Sequence, residues 1–250
     1  MKALKSKYWK LISIVFILVL VLILFFYKNY FNSLVPFISS NYKIRGIDIS
    51  HHNKVYDWDL VKSKNTFCIM KATEGNKMND PKFNNSWKIA KNINLTRGAY
   101  HFFKSNSSAE LQFENYRNSV KLTTNDMPPI LDVEDDNIDM DQVNKWLSLA
   151  ENYYGVKPII YASYNYYVRY MQGKVNNYPV WLYYNTRYKL RPKFESNEVL
   201  FLQYSQHGKV NGINGDVDLD LFLGDKESFN KLLIKKFCFV TKRLSIAIPR

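Results

Sequence analysis

"PPILDVEDD", residues 128–136, runs an apolar stretch straight into four carboxylates within five residues. The run reads as a strand built for a core, ending in the alternation Asp132, Val133, Glu134. Side chains at i and i+2 of a strand share a face, so Asp132 and Glu134 point one way and Val133 the other. Two carboxylates held close cannot both ionise easily. One keeps its proton to a higher pH, which is what a general acid requires. The plainer alternative is that Asp132 caps the following helix and Glu134 is solvated. The rest of the chain decides between them.

Outward from this stretch, strand-like and helix-like segments take turns. The strand candidates are "IRGIDIS" (44–50), "FCIMKAT" (67–73), "RGAYHFF" (97–103), "PPILDVE" (128–134), "PIIYAS" (158–163), "PVWLYY" (179–184), "VLFLQYS" (199–205) and "DVDLDLF" (216–222). Helical patterns lie between the earlier ones: "DWDLVKSK", "FNNSWKIAKNIN", "SAELQFENYRNSVKL" and "DMDQVNKWLSLAENYY". In the last, Val143, Trp146, Leu147 and Ala150 recur at the spacing of a buried helical stripe, with Asp139 or Asp141 placed to cap it. Alternation of this kind predicts an α/β fold with parallel strands, and eight strands in one domain predict a (β/α)-type, TIM-like barrel. The later helical patterns are weaker, so the second half is expected to be less regular. In such a barrel the strand ends of one sense gather on one face. Asp48, Tyr100, His101, Tyr161, Gln203, Tyr204 and the acids Asp216, Asp218 and Asp220 all fall near strand ends, which predicts a shared acidic mouth.

Length and composition fit this picture. The 250 residues, 46% of them apolar, suffice for one full-sized core. The formal charge of +13 does not indicate a nucleic-acid groove. Five Lys and no acid lie in residues 1–28, and five Lys or Arg and no acid in residues 235–250, which leaves +3 for the body.

Residues 11–27, "LISIVFILVLVLILFFY", carry no charge and follow Lys2, Lys5, Lys7 and Lys10. The pattern predicts a single transmembrane helix over residues 11–28 with its N-terminus inside and everything later extracytoplasmic. A cleaved signal peptide is the competing reading, but bulky Phe25, Phe26 and Tyr27 stand where a small-residue cleavage site would be needed. The implied organisation is a basic N-terminus (1–10), the membrane helix (11–28), a stalk (29–43), a catalytic barrel (44–234) and a basic tail (235–250). Cys68 and Cys238 are too few and too isolated for a disulfide framework or a metal site, and Cys68 reads as a small core residue. His51 and His52, with His101 and His207, complete no metal-ligand spacing, so hydrogen bonding or packing is expected of them.

The ordered blocks "GIDISHHNKVYDW", "FCIMKATEGNKMNDPKF", "GAYHFF", "PPILDVE", "KPIIYAS", "YPVWLYYN", "LQYS" and "VNGINGDVDLDLF" resemble the lysozymes of glycoside hydrolase family 25 from about Arg45 to Leu233. The resemblance implies a barrel with irregular last strands. It also implies hydrolysis of the β-1,4 bond between N-acetylmuramic acid and N-acetylglucosamine in the glycan strands of peptidoglycan, by a monomer without cofactor or metal. Glu134 then corresponds to the acid that protonates the leaving oxygen. Asp132 corresponds to its partner, which orients the acetamido group or stabilises charge, and Asp48 and Asp218 to two further acids ringing the site. Tyr100, Tyr161 and Gln203 fall where contacts to the sugar are expected. Glu74 of "KATEG" is given no chemistry by the resemblance and reads as structural or as rim electrostatics. Two loops depart from the family pattern, Asn65 standing where a turn glycine is usual and "KNINL" lacking one. A glycan-binding barrel without activity and a metal-dependent hydrolase are the readings that compete with this one.

Overall fold

The computed structural model describes residues 8–9, 12–26, 42–135, 137–175, 177–184 and 198–235. A helix, α1, covers residues 12–26. The domain then runs β1 (Arg45–Ile49), β2 (Lys54–Val55), α2 (Trp58–Lys64), β3 (Phe67–Glu74), β4 (Met78–Asn79), α3 (Phe83–Asn92), β5 (Thr96–Phe102) and α4 (Ala109–Ser119). It continues through β6 (Ile130–Asp132), α5 (Met140–Tyr154), β7 (Ile159–Ser163), α6 (Tyr164–Tyr166) with a π-helical turn (Tyr167–Met171), β8 (Val180–Tyr183), β9 (Val199–Gly208), β10 (Ile213–Asn214), β11 (Val217–Phe222) and α7 (Lys226–Leu232).

Every one of the eight predicted strands is present. In the order β1, β3, β5, β6, β7, β8, β9, β11 they close a ring through the β11–β1 pairing. The pairings from β1 through to β9 are parallel. β11 departs from the parallel expectation, pairing antiparallel with both β9 and β1. Only residues 209–216 separate β9 from β11, fewer than the dozen or so residues that a parallel crossover requires. This is the irregular end that the family resemblance implied.

Caps fix the helices as the sequence suggests. Asp57 accepts from the Leu60 amide at 3.0 Å, Ser108 caps α4, and Asp139 accepts from the Asp141 amide at 2.9 Å to start α5. The cap of α5 is therefore Asp139, and Asp132 is left for other work. Gly155, at φ 69°, ends α5 in the left-handed conformation. Asn65, standing where a turn glycine is usual, makes no left-handed turn: its backbone is extended (φ −126°), and its side-chain amide donates to the Val61 carbonyl at 2.8 Å. In "KNINL" it is Asn94, at φ 56°, that takes the left-handed turn a glycine would otherwise supply.

Two apolar layers result. Between sheet and helices lie Leu131 and Ile160 of the strands, and Val133 just after β6, against the predicted stripe Val143, Trp146, Leu147 and Ala150, all fully buried. Cys68 packs in this layer. Inside the barrel, Phe67, Ile130, Ile159, Phe201 and Phe222 form a second core, and Phe229 of α7 closes it from below, with ring centres 5.7 Å from Phe67 and 5.2 Å from Phe222. A Cβ at Gly46 would collide with the Phe67 ring, so glycine is what lets that ring into the barrel.

Below the barrel, Arg97 is held by Asp126 through Nε at 2.7 Å and Nη2 at 3.0 Å. It also donates to the Trp87 carbonyl at 2.6 Å and lies 3.8 Å above the Trp87 ring. α1 presents exposed apolar side chains from Ile12 to Phe26. Among the described residues no helix is long and apolar enough to cross a membrane. Residues 11, 27 and 28 of the expected span, the stalk to residue 41 and the tail from 236 lie outside the described residues.

Candidate active site

The parallel strands deliver Asp48 and Asp132 from near their C-terminal ends, and Tyr161 and Gln203 from mid-strand, to the same mouth. Asp218 reaches it from the opposite direction. Because β11 is antiparallel, its first residues, not its last, lie at this face, and Asp218 pairs in register with Asp48. Asp132 ends β6 beside Phe102 of β5 and Tyr161 of β7. Glu134 follows two residues beyond and lines the same cleft, while Val133 turns into the outer core. Asp48, Tyr100, Asp132, Glu134, Tyr161, Gln203 and Asp218, the site residues expected from sequence, all line this one cleft.

Gln203 organises the acids. Its amide Nε2 donates to Asp48 Oδ2 at 2.7 Å and to Asp218 Oδ2 at 3.2 Å, and its Oε1 accepts from the Tyr161 hydroxyl at 2.7 Å. The Tyr161 ring in turn lies 4.5 Å from that of Trp181. Asp132 Oδ1 is buried without a hydrogen-bond partner among the described residues.

Electrostatics follow from crowding. Burial first, then Glu134 and Asp48, push Asp132 well above the ordinary carboxylate range, with Lys71 opposing. Burial and then Asp218 raise Glu134, against a hydrogen bond with Tyr161. Glu134 is open to solvent at the mouth, so its burial is partial and its displacement smaller than that of the enclosed Asp132. Burial lifts Asp218 to about 6, with His207 opposing. The cluster therefore holds protons at pH values where isolated carboxylates are ionised.

Several residues fell elsewhere. His101, expected near the mouth with Tyr100, points into the outer layer. There it bridges Thr73 Oγ1 at 2.7 Å and Gln112 Oε1 at 3.2 Å, stacked on Trp146, and burial holds it neutral with a pKa of about 3. Neighbours on a strand face opposite ways, and Tyr100 took the inner side. Tyr204 likewise lies outside the cleft, in a small cluster with Leu202 and Leu221. Asp216 is at the surface with Lys209 and His207. His51 binds Asp80 through its amide at 2.8 Å and Nδ1 at 2.9 Å, and Glu74 pairs with Lys71 at 2.6 Å.

Sequence reasoning missed Ser50, His52, Lys71, Phe102, Trp181 and Gln206, which also line the cleft. The parity of "PVWLYY" carried a signal for Trp181, since Val180 and Leu182 face the outer layer.

A barrel with a carboxylate-ringed cleft at its mouth fits a glycoside hydrolase, and likeness to known proteins establishes that class. The chain matches the model for glycosyl hydrolases family 25 over residues 47–213, and it belongs to that family. It is 35% identical over 201 residues to the uncharacterized protein YegX of Escherichia coli K12, spanning 76% of this chain and 73% of that one. It is 28% identical to lysozyme M1 of Streptomyces globisporus, over 72% of this chain and 68% of the relative. Among solved structures, the family 25 glycosyl hydrolase from Bacillus anthracis superposes with a TM-score of 0.71 at 28% identity, covering 78% of this chain and 95% of the other.

Proposed function

We propose that this hydrolase is a lysozyme cleaving the β-1,4 bond between N-acetylmuramic acid and N-acetylglucosamine in peptidoglycan, with Glu134 as proton donor. The observation that carries the assignment is Glu134's position: a carboxyl open to the cleft, lifted above its ordinary range by burial and by Asp218. Protonated Glu134 passes its proton to the bridging oxygen as the bond from C1 breaks. The departing sugar leaves as an alcohol, and C1 develops oxocarbenium character. Asp48 and Asp218, held side by side by Gln203, place negative charge where that positive charge grows. Water supplies the hydroxyl that ends on C1, and its proton restores the acid.

The partnerless Asp132 Oδ1 suits an acetamido N–H. Tyr161 and Gln203 are engaged with one another, so they serve the acids more than the sugar, and Tyr100 supplies a ring to the cleft wall. Digestion of defined peptidoglycan followed by mass analysis of the products tests the reading. New reducing ends on N-acetylmuramic acid are expected. Reducing N-acetylglucosamine ends, or binding without any new ends, would refute it. Strands stripped of N-acetyl groups should be cut about tenfold more slowly, the scale of leaving one buried acceptor unsatisfied. An unchanged rate removes Asp132 from that role.

The exposed apolar face of α1, preceded by four lysines, supports a membrane anchor with the barrel held outside the cytoplasm. The full chain is then expected to stay with membranes through an alkaline wash, and a variant lacking residues 1–28 to be released. Release of both would dismiss the anchor.

A further inference from the structure

Of the three acids in "DVDLDLF", Asp216 is at the surface and Asp218 in the cleft, which leaves Asp220 without a role in the reaction as described. The antiparallel register sets Asp218 opposite Asp48, and sets Asp220 opposite Gly46 on β1 and Gln203 on β9. Asp220 therefore faces inward like Asp218, one layer deeper, and is wholly buried. Its Oδ1 accepts from Trp181 Nε1 at 3.0 Å. Its Oδ2 is enclosed with no N–H or O–H partner among the described residues, yet the carboxyl is within hydrogen-bonding reach of Asp48. An ionised carboxylate can only accept. Two ionised groups in that contact would repel in a site from which water is excluded, and one proton between them supplies the missing donor.

We propose that Asp220 is a positioning residue: it keeps a proton on Oδ2 and donates it to Asp48, so that Asp48 faces the cleft as the ionised, oriented member of the pair. What the Asp48 charge then accomplishes rests on the hydrolytic reading above. Burial, then Asp48 and Asp218, push Asp220 upward; burial and then Asp218 also raise Asp48 well above the ordinary carboxylate range, and the bonds from Gln203 and from Asp220 oppose that rise. The titratable groups close enough to feel the charge of Asp220 are Asp48 from β1, Cys68 from β3, Tyr161 from β7, Tyr204 from β9 and Asp218 from β11 itself. None of these is a cation, so a second charge at this depth would be uncompensated. A neutral donor orients Asp48 without adding one.

Asp220→Asn keeps an acceptor for Trp181 and puts an N–H where the proton lies, whereas Asp220→Ala removes both. In the full chain, Asp220→Asn is expected to stay within about threefold of the parent rate, with the acid limb of its kcat/KM profile in place. Asp220→Ala is expected to lose about tenfold or more and to move that limb up by about one pH unit, because Asp48 without its donor ionises later. A packing role alone would lower the rate at every pH and leave the limb where it was. A folded Asp220→Asn losing more than tenfold, or an unmoved limb in Asp220→Ala, overturns the proposal.

Carbon-13 titration of the aspartate carboxyls decides independently of any peptidoglycan digest, and decides with Asp220→Asn alone if Asp220→Ala does not fold. One carboxyl that stays protonated well above the ordinary range near 4 and vanishes in Asp220→Asn is expected. If the signal lost in that variant is ionised by about pH 5, Asp220 does not hold the proton, whatever the enzyme cleaves.

Discussion

Glu134→Gln is expected to lower the rate of peptidoglycan cleavage by about 10²–10⁴-fold, the contribution of a positioned general acid. Glutamine preserves the volume of the side chain and a partner for Tyr161 but has no proton to give, so the fold and the binding of glycan strands should persist. The pH profile separates loss of the acid from general damage. Because burial and Asp218 raise Glu134, it remains protonated above the usual carboxylate range, and the rate falls as pH climbs through that raised value. Asp48 and Asp218 work ionised, so the rate also falls as pH drops through the range in which this pair takes up protons, Asp218 at about 6. Residual activity of Glu134→Gln should lack the alkaline limb and keep the acid one. Clearing of cell walls at the parental rate would remove Glu134 from the reaction.

A comparably large effect on stability is expected of Asp126→Ala. Asp126 receives two bonds from Arg97, and also the Thr123 amide at 2.6 Å and the Thr123 hydroxyl at 3.1 Å. Arg97 is 3% exposed, so removal of the carboxylate leaves a guanidinium whose remaining partners among the described residues are the Trp87 carbonyl and ring and the Thr123 hydroxyl. Breaking one side of a buried pair costs about 3–5 kcal/mol, a large share of the roughly 5–15 kcal/mol that holds a typical domain together. Replacing both partners by apolar residues should cost much less, because no unmatched charge remains. Urea unfolding of the two variants measures the difference. A single variant less than about 1 kcal/mol below the parent would show that water reaches Arg97.

Most of the barrel was legible because its strands are short apolar runs and its helices carry caps and a stripe, as in α5 with Asp139 and Val143, Trp146, Leu147 and Ala150. What local pattern cannot give is direction. Nothing in "DVDLDLF" says that it runs against its neighbours, and so Asp218 was placed at the mouth correctly but by the wrong end of its strand. The acids of the cleft were legible through strand parity and family resemblance together. Parity used alone would also have turned His101 outward once Tyr100 was assigned inward. Trp181 and Lys71 were passed over because a tryptophan or a lysine inside an apolar run reads as packing or as a solvated edge until the ring of strands is closed. Asp220 needed more still. Its significance lies in an oxygen facing another carboxylate, and that juxtaposition arises from residues far apart in the chain.

The seam that shuts the barrel joins its first strand, β1, to its last, β11. During synthesis, then, a ribosome-bound chain displays Asp48, Asp132 and Glu134 long before Asp218 exists to complete the ring. A contact of such long range is also among the slower ones to form. Cutting power consequently arrives in one step at the close of translation and folding, and fragments ending before Val217 carry the proton donor and Asp48 without Asp218.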